Sequence, residues 1–582
     1  MPRGLRRSVA RTLAGAMSLL LAAASPLLGQ APAFAASVSL SAAGSSWAGP
    51  AIDQWRQDVS PQGIQINFSP VGSAAGRVQW ANGMNDFTAS DVPFRSAQDA
   101  GVGQSGRANG DGSAEKPTYG YSYVPITAGG TTFMYNLVVG GKQVRDLRLS
   151  PQTIVDIFTN KITNWNDQRI TDEYGKQLPS LPITPVVRSD GSGATAQFTR
   201  WMEHTHKDQW DAYCAQANGV PCGDYTEFFP ASGRMTAQNG SDTVAGYIKS
   251  STNQGTIGYD EYAFAKRSNW PVVRVLNEAG YYSLPTASNV AVALTAAKIR
   301  GVDDSTPPTD PNFLQQNLDG VYTMKDPRAY PISSYSYVIV PRAGVSDPPP
   351  PRFNDEKGSA LSRYLAYVLC EGQGKADDLG YSPLPRNLVK GGLLQSKSIP
   401  GNASPVDPGT LANCKNPTFN ADGKLTLLEN APQPSPCDQK GQPLTCVVGS
   451  DGKPQTKGGS DNGGGVAGGT GGKGGGTGGT GGAGGTGGAA DPNAPAAGAA
   501  DPNAPADGTG EIDPQTGQVV ARGRGGGGAT DVAANVVEVS GRPEDWTLST
   551  LTAVELLAVV LVPPLLGRRL LRKRRGGSGG AA

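Results

Sequence analysis

Val187-Arg188-Ser189-Asp190-Gly191-Ser192-Gly193-Ala194-Thr195 joins two segments of different periodicity. Upstream, the proline-bounded apolar run from Leu181 to Val187 reads as a short strand. Downstream, Ala196-Gln197-Phe198-Thr199-Arg200-Trp201-Met202 has helical spacing. An arginine, an aspartate and a Gly-Ser-Gly turn therefore sit where a strand passes into a helix N-terminus. Unpaired N–H groups and the positive end of the helix dipole favour an anion at such a point. The glycines allow close backbone approach, and Arg188 offers a planar fork for a tetrahedral oxyanion. Taken alone, the stretch fits equally well an ordinary capped helix whose arginine pairs with a carboxylate.

The same strand–turn–helix grammar recurs towards the N-terminus. A strand expected over Ser37 to Leu40 leads to Ala43-Gly44-Ser45-Ser46-Trp47-Ala48-Gly49-Pro50, then to a helical pattern through Ile52, Trp55 and Val59. A second strand, Ile64 to Phe68, runs into Pro70-Val71-Gly72-Ser73-Ala74-Ala75-Gly76-Arg77. Asp86-Phe87-Thr88-Ala89-Ser90-Asp91-Val92-Pro93 reads as a short buried strand ending in an acid. Repeated small polar turns after strands predict an α/β fold that gathers a ligand at the carboxyl ends of its strands.

Composition bounds the alternatives. With 50 Lys and Arg against 49 Asp and Glu, the 582-residue chain carries a net charge of +1. That balance offers no field for nucleic acid, so any anion preference must be local. His204 and His206, the two histidines, lie two apart in a helical pattern and share no face, which argues for solvated surface rather than a metal pair. No Walker sequence or Ser-His-Asp set can be assembled, and neither a metal nor a cofactor is expected. An aspartate–arginine–serine cleft resembles a phosphatase superficially, but no activated nucleophile is visible, so binding is expected rather than catalysis.

The ends read as export and anchoring signals. Arg3, Arg6, Arg7 and Arg11 precede an apolar run from Leu13 to Ala24, and Ala33-Phe34-Ala35 offers a cleavage site, so residues 1–35 are expected to be a signal peptide. The first cysteine is Cys214, which excludes lipidation at a processed N-terminal cysteine. Near the other end, 548–567 is about the length of a bilayer-spanning helix. Glu555 and the Pro563-Pro564 pair weaken that reading, and an amphipathic surface helix is its alternative. The basic residues of 568–575 place a cytoplasmic tail at 568–582 and the body outside. Localisation at the cell membrane follows, single-pass, with the binding domain extracellular. Of the 80 glycines, many fall in 457–545, expected to be a flexible linker with an r.m.s. span of roughly 50 Å. The six cysteines of an exported chain suit disulfides. Cys214 with Cys222 and Cys437 with Cys446 could close small loops, leaving Cys370 with Cys414, one of several possible connectivities. Residues 401–456 are expected to be a small stapled appendage.

The ordered blocks carry a family resemblance. Besides the three turns and Asp86 to Asp91, they are Ile157-Phe158-Thr159-Asn160-Lys161-Ile162-Thr163-Asn164-Trp165-Asn166-Asp167, Gly255-Thr256-Ile257-Gly258-Tyr259, Tyr330-Pro331-Ile332-Ser333 and Leu379-Gly380-Tyr381-Ser382-Pro383-Leu384-Pro385. From about Ser39 to Val389 the chain resembles the phosphate-binding component of Pst-type phosphate ABC transporters. The resemblance implies a type II periplasmic-binding-protein fold, with lobe one at 37–122 and 328–400 and lobe two at 123–327. It implies one inorganic phosphate in the cleft, delivered to an ABC permease in the same membrane. The contacts it implies are the Ser46 hydroxyl, the Trp47 backbone N–H, Ser73, Asp91, Arg188, Ser192 and the backbone N–H groups of Gly193 and Ala194. Asp190 would orient Arg188. A carboxylate at 91 accepts a hydrogen bond from protonated phosphate and repels sulfate, which carries no proton. Ala194 stands where the family usually has threonine, which removes one hydroxyl donor. Thr195 is expected to point elsewhere. The 92–120 segment is longer and more polar than expected and could form a rim loop. A surface phosphate sensor or adhesin, and a phosphatase on the same fold, are the competing readings.

Overall fold

The computed structural model describes residues 37–95, 115, 117–219, 222–310, 312–343, 348–402, 407, 409 and 411–456, and a strand pair at 511–512 and 519–520. The expected signal peptide, spanning helix and basic tail lie outside the described residues, as do most of the linker and of 92–120. Among the described residues no helix is long and apolar enough to cross a membrane.

Eight strands form one curled sheet. They are β1 (Val38–Gly44), β2 (Ile64–Ser69), β3 (Phe87–Ser90), β4 (Tyr121–Tyr135), β5 (Thr184–Arg188), β6 (Thr236–Gln238), β7 (Thr256–Glu261) and β8 (Ser333–Pro341). The order across the sheet is β2-β1-β3-β8-β4-β7-β5-β6. β2 alternates buried Ile64, Ile66 and Phe68 with exposed Gln65, Asn67 and Ser69, as an edge strand covered on one face does. β4 is buried along almost its whole length and belongs to both lobes of the fold. It pairs with β8 from Tyr121 to Gly130 and with β7 from Thr131 to Tyr135. The change of partner falls at 130/131, within one uninterrupted strand that serves both halves.

Each half has its own aromatic core. Trp80, Phe94, Tyr121, Tyr123 and Tyr337 pack in the first, and Phe133, Phe158, Phe198, Phe229 and Tyr259 in the second. Within each half the strands that feed the cleft are parallel: β1 with β2 and β3, and β5 with β6 and β7. Their carboxyl ends therefore open towards the same gap, where helices α1 (Gly49–Val59), α2 (Ser73–Ala81), α3 (Gly193–Asn218) and α4 (Ser241–Lys249) begin.

Three disulfides close as the spacing allowed: Cys214–Cys222, Cys370–Cys414 and Cys437–Cys446. The segment from Leu411 to Cys446 differs from the appendage expected of it. Leu411, Cys414 and Phe419 are buried in the main core, and Leu427 and Ala431 cover Ala291 and Val292. Further on, Asp438 pairs with Arg274, and Lys440 N–H donates to Gly280 O. Sparse apolar residues in a Pro- and Asn-rich stretch hid this packing, which uses one side chain at a time.

Candidate functional site

Each turn delivers a polar group to the gap between the lobes. After β1, Ser45 donates to both oxygens of Asp91, at 2.9 and 2.7 Å, and accepts from Ala48 N–H. Ser46, next in sequence, faces the opposite lobe. Its hydroxyl accepts from Arg188 Nη2 at 3.0 Å and lies 3.1 Å from Ser241 Oγ. Trp47 buries its ring beneath Gly129, and Tyr381 holds its carbonyl through a 2.5 Å bond. Ser73, the first residue of α2, donates to Asp91 Oδ2 at 3.1 Å.

Asp91 follows β3 and is almost wholly buried. Besides Ser45 and Ser73, Ser336 of β8 donates to its Oδ1. The register of β8 against β4 shifts between Ser336 and Tyr337, and such an irregularity re-aims a side chain. Burial pushes the Asp91 carboxyl up, against the hydroxyls of Ser336, Ser45 and Ser73 and the charge of Arg188. The Asp91 carbonyl accepts from Gln197 and from Gln316.

Arg188, at the end of β5, is 1% exposed. Asp190 receives its Nε at 2.8 Å and its Nη2 at 2.5 Å, a two-point fork that fixes the guanidinium plane. Nη1 donates to Ser241 at 3.1 Å and stands 3.6 Å from Asp260 Oδ2. Burial opposes the arginine's charge, but Asp190 and Asp260 outweigh it and the group stays cationic. Burial likewise works against the charge of Asp190, and Arg188 holds its carboxyl below the usual range.

Ser192 caps α3, its hydroxyl accepting from Thr195 N–H at 3.3 Å. Gly193 and Ala194 are the next two residues, whose N–H groups have no intrahelical acceptor. Thr195 turns away and bonds Tyr259 OH at 2.7 Å. The lobes touch around this turn. Ala74 N–H donates to Gly191 O, a side chain at Gly72 would strike Asp190, and one at Gly191 would strike Ala74. Deeper in the interface, Arg77 pairs with Glu227 and Glu115. His204 lies elsewhere on α3, against Tyr322 and Asp319, and His206 bonds Thr205.

The structure thus brings Ser46, Ser73, Asp91, Arg188, Asp190, Ser192, Gly193 and Ala194 to one cleft, with Trp47 beneath it. Ser73 gives its proton to Asp91. Ser45, Ser241, Asp260 and Ser336 belong to the cleft and were not anticipated. Ser241 could have been suspected, since Gly240-Ser241 opens a helix after a strand. Ser336, in mid-strand, gives no local signal. Chemically, the cleft offers hydroxyls, an oriented guanidinium and helix N–H groups as donors, opposed by the buried Asp91 carboxylate, while Asp190 and Asp260 face Arg188.

The model of the PBP superfamily domain matches residues 29–371. Phosphate-binding protein PstS of Xylella fastidiosa (strain Temecula1) is 29% identical over 360 residues, which is 61% of this chain and 84% of that protein. The PstS phosphate-binding protein of Methanocaldococcus jannaschii is 28% identical over 351 residues, 59% of this chain and 81% of its own. PstS 2 of Mycobacterium tuberculosis, also a phosphate-binding protein, is 28% identical over 330 residues, 56% and 77% respectively. A solved phosphate-binding protein from Stenotrophomonas maltophilia aligns with a TM-score of 0.43 at 17% identity, covering 64% of this chain and 99% of its own.

Proposed function

The chain belongs to the PBP superfamily, and from that premise we propose that it binds inorganic phosphate in the interlobe cleft and delivers it to an ABC permease. The observation that carries this reading is the opposition of Arg188, locked by Asp190, to the buried Asp91. A fixed cation and many short donors replace water around a dianion, while the Asp91 carboxylate reads the proton that phosphate keeps near neutrality. The ligand set is Ser46, the Trp47 N–H, Ser73, Asp91, Arg188, Ser192 and the N–H groups of Gly193 and Ala194. For Ser73 to serve, its hydroxyl turns from Asp91 to the ligand. On this reading the cleft binds rather than hydrolyses, because the carboxylate that accepts serine hydroxyls, Asp91, is shared by Ser45, Ser73 and Ser336, while Ser46 faces Arg188 and Ser192 caps a helix.

The ends complete the proposal. Residues 1–35 direct export, 548–567 anchor the chain in the cell membrane, and the glycine-rich 457–545 tether the binding domain on the outer side. The lobes comprise 37–122 with 328–400, and 123–327, sharing β4. Uptake of labelled phosphate at limiting concentration, in cells with and without the protein, tests the transport step. Slower uptake without it is expected. Unchanged uptake would favour the surface sensor or adhesin, and phosphomonoester turnover lost in Arg188→Ala would favour a phosphatase.

A further inference from the structure

Arg188 is held by two carboxylates, and one of them is not required to orient it. Asp190 already fixes the guanidinium plane through Nε and Nη2. Asp260 approaches from the other side, on β7, with Oδ2 3.6 Å from Nη1. It is 1% exposed. Its Oδ1 accepts from Glu261 N–H, while Oδ2 faces the Arg188 guanidinium and the Ser241 hydroxyl without a close hydrogen bond to either. A second buried carboxylate, held at ion-pair rather than hydrogen-bond distance from Arg188, is a costly arrangement for orientation alone.

We propose that Asp260 is an affinity-limiting residue, whose carboxylate competes with a doubly charged oxyanion for Arg188 and so weakens the cleft's hold on it. This rests on the reading of the cleft as a phosphate site. When Asp190 and Asp260 are both ionised, the pair outweighs the single arginine charge, and Asp91 stands opposite. An arriving dianion then depends on hydroxyl and N–H donors, with little net positive charge to hold it. Protonating Asp260 returns part of the guanidinium's charge to the ligand.

The neighbours of Asp260 set when that happens. Arg188 and Asp190 face it from β5 and the following turn, Ser241 from α4, and Tyr259 and Glu261 flank it on β7. Tyr381 lies within reach of its charge, and Asp91 shares the surroundings of Glu261 and Tyr381. Burial pushes the Asp260 carboxyl up to about 6, against the pull of Arg188. Ligand release is then favoured as the surroundings turn from acidic to neutral.

The test is calorimetric titration of the full chain with phosphate and, separately, with sulfate at pH 5, 6.5 and 8 for wild type, Asp260→Asn and Asp260→Ser. Sulfate stays a dianion throughout, so its pH dependence reports the protein alone. The variants are expected to match wild type at pH 5 and to bind roughly tenfold tighter at pH 8, the effect of one charge at short range. A ratio that is constant with pH, or weaker binding by both variants, would overturn the inference. Wild type that binds no phosphate at any pH would instead defeat the reading of the site. Serine provides the second variant should asparagine not fold.

Discussion

Gly193 lies directly against the carboxylate of Asp91, so that a β-carbon at position 193 would overlap Asp91 Oδ2 and its Cβ and Cγ. The first residue of α3 in one lobe thereby meets the acid at the end of β3 in the other. Any side chain at 193 must push the lobes apart or displace Asp91. Gly193→Ala is expected to lower phosphate affinity at least tenfold and to lower thermal stability modestly, since Asp91 is pushed from its serine donors while the aromatic packing is untouched. Calorimetry beside a melting curve checks this; unaltered affinity would mean that the contact is dispensable.

Arg188 makes forked contacts that a point charge cannot reproduce. Arg188→Lys should weaken phosphate binding by roughly tenfold or more, because Lys cannot span Asp190 and still present two donors. Equal affinity, measured by equilibrium dialysis, would place Arg188 outside the ligand shell.

Asp91→Asn swaps an acceptor for a group that can also donate. The ratio of phosphate to sulfate affinity should fall, because the amide can serve sulfate as well. An unchanged ratio would contradict the proton-reading role. The same substitution leaves Ser45, Ser73 and Ser336 with a weaker shared acceptor, so a modest loss of stability is also expected.

Position 194 offers a gain. Ala194→Ser restores a hydroxyl next to two helix N–H groups, and one such bond is worth about 1 kcal/mol, or several-fold in affinity. Competition for labelled phosphate between the two proteins reads the difference directly.

Much of this site was legible in sequence because its parts sit at turns. Arg188, Asp190, Ser192 and Gly193 are consecutive or nearly so, and Gly44, Gly72 and Gly191 mark places where backbone must pass close. Ser336 and Asp260 were not legible, since mid-strand and strand-end polar residues acquire meaning only from what lies across the sheet. The fold followed from the same turns. The point where β4 changes lobe did not, since Gly129-Gly130 interrupts no hydrogen-bonding pattern that a sequence displays. Leu411, Phe419 and Leu427, spaced too widely for any period, concealed the packing of the 411–446 segment.

Stability should carry its own pH signature. Asp260 has a carboxyl raised to about 6 by burial, above its value in an unfolded chain. The folded state therefore holds a proton that the unfolded state has lost between about pH 4 and 6, and stability falls as pH rises through that window. In Asp260→Asn the melting temperature of the ligand-free chain should decline less over the same range; identical profiles would contradict the assignment.

The central claim is that a buried cleft, with Arg188 and Asp91 on opposite sides, selects a protonated oxyanion. Titration of the full chain at pH 7 with phosphate and with sulfate tests it most directly. The account predicts one phosphate bound per chain and sulfate binding weaker by at least two orders of magnitude, since a forced pairing of two unprotonated acceptors costs about 3 kcal/mol or more. Equal binding of the two anions, or no heat with phosphate, would contradict it.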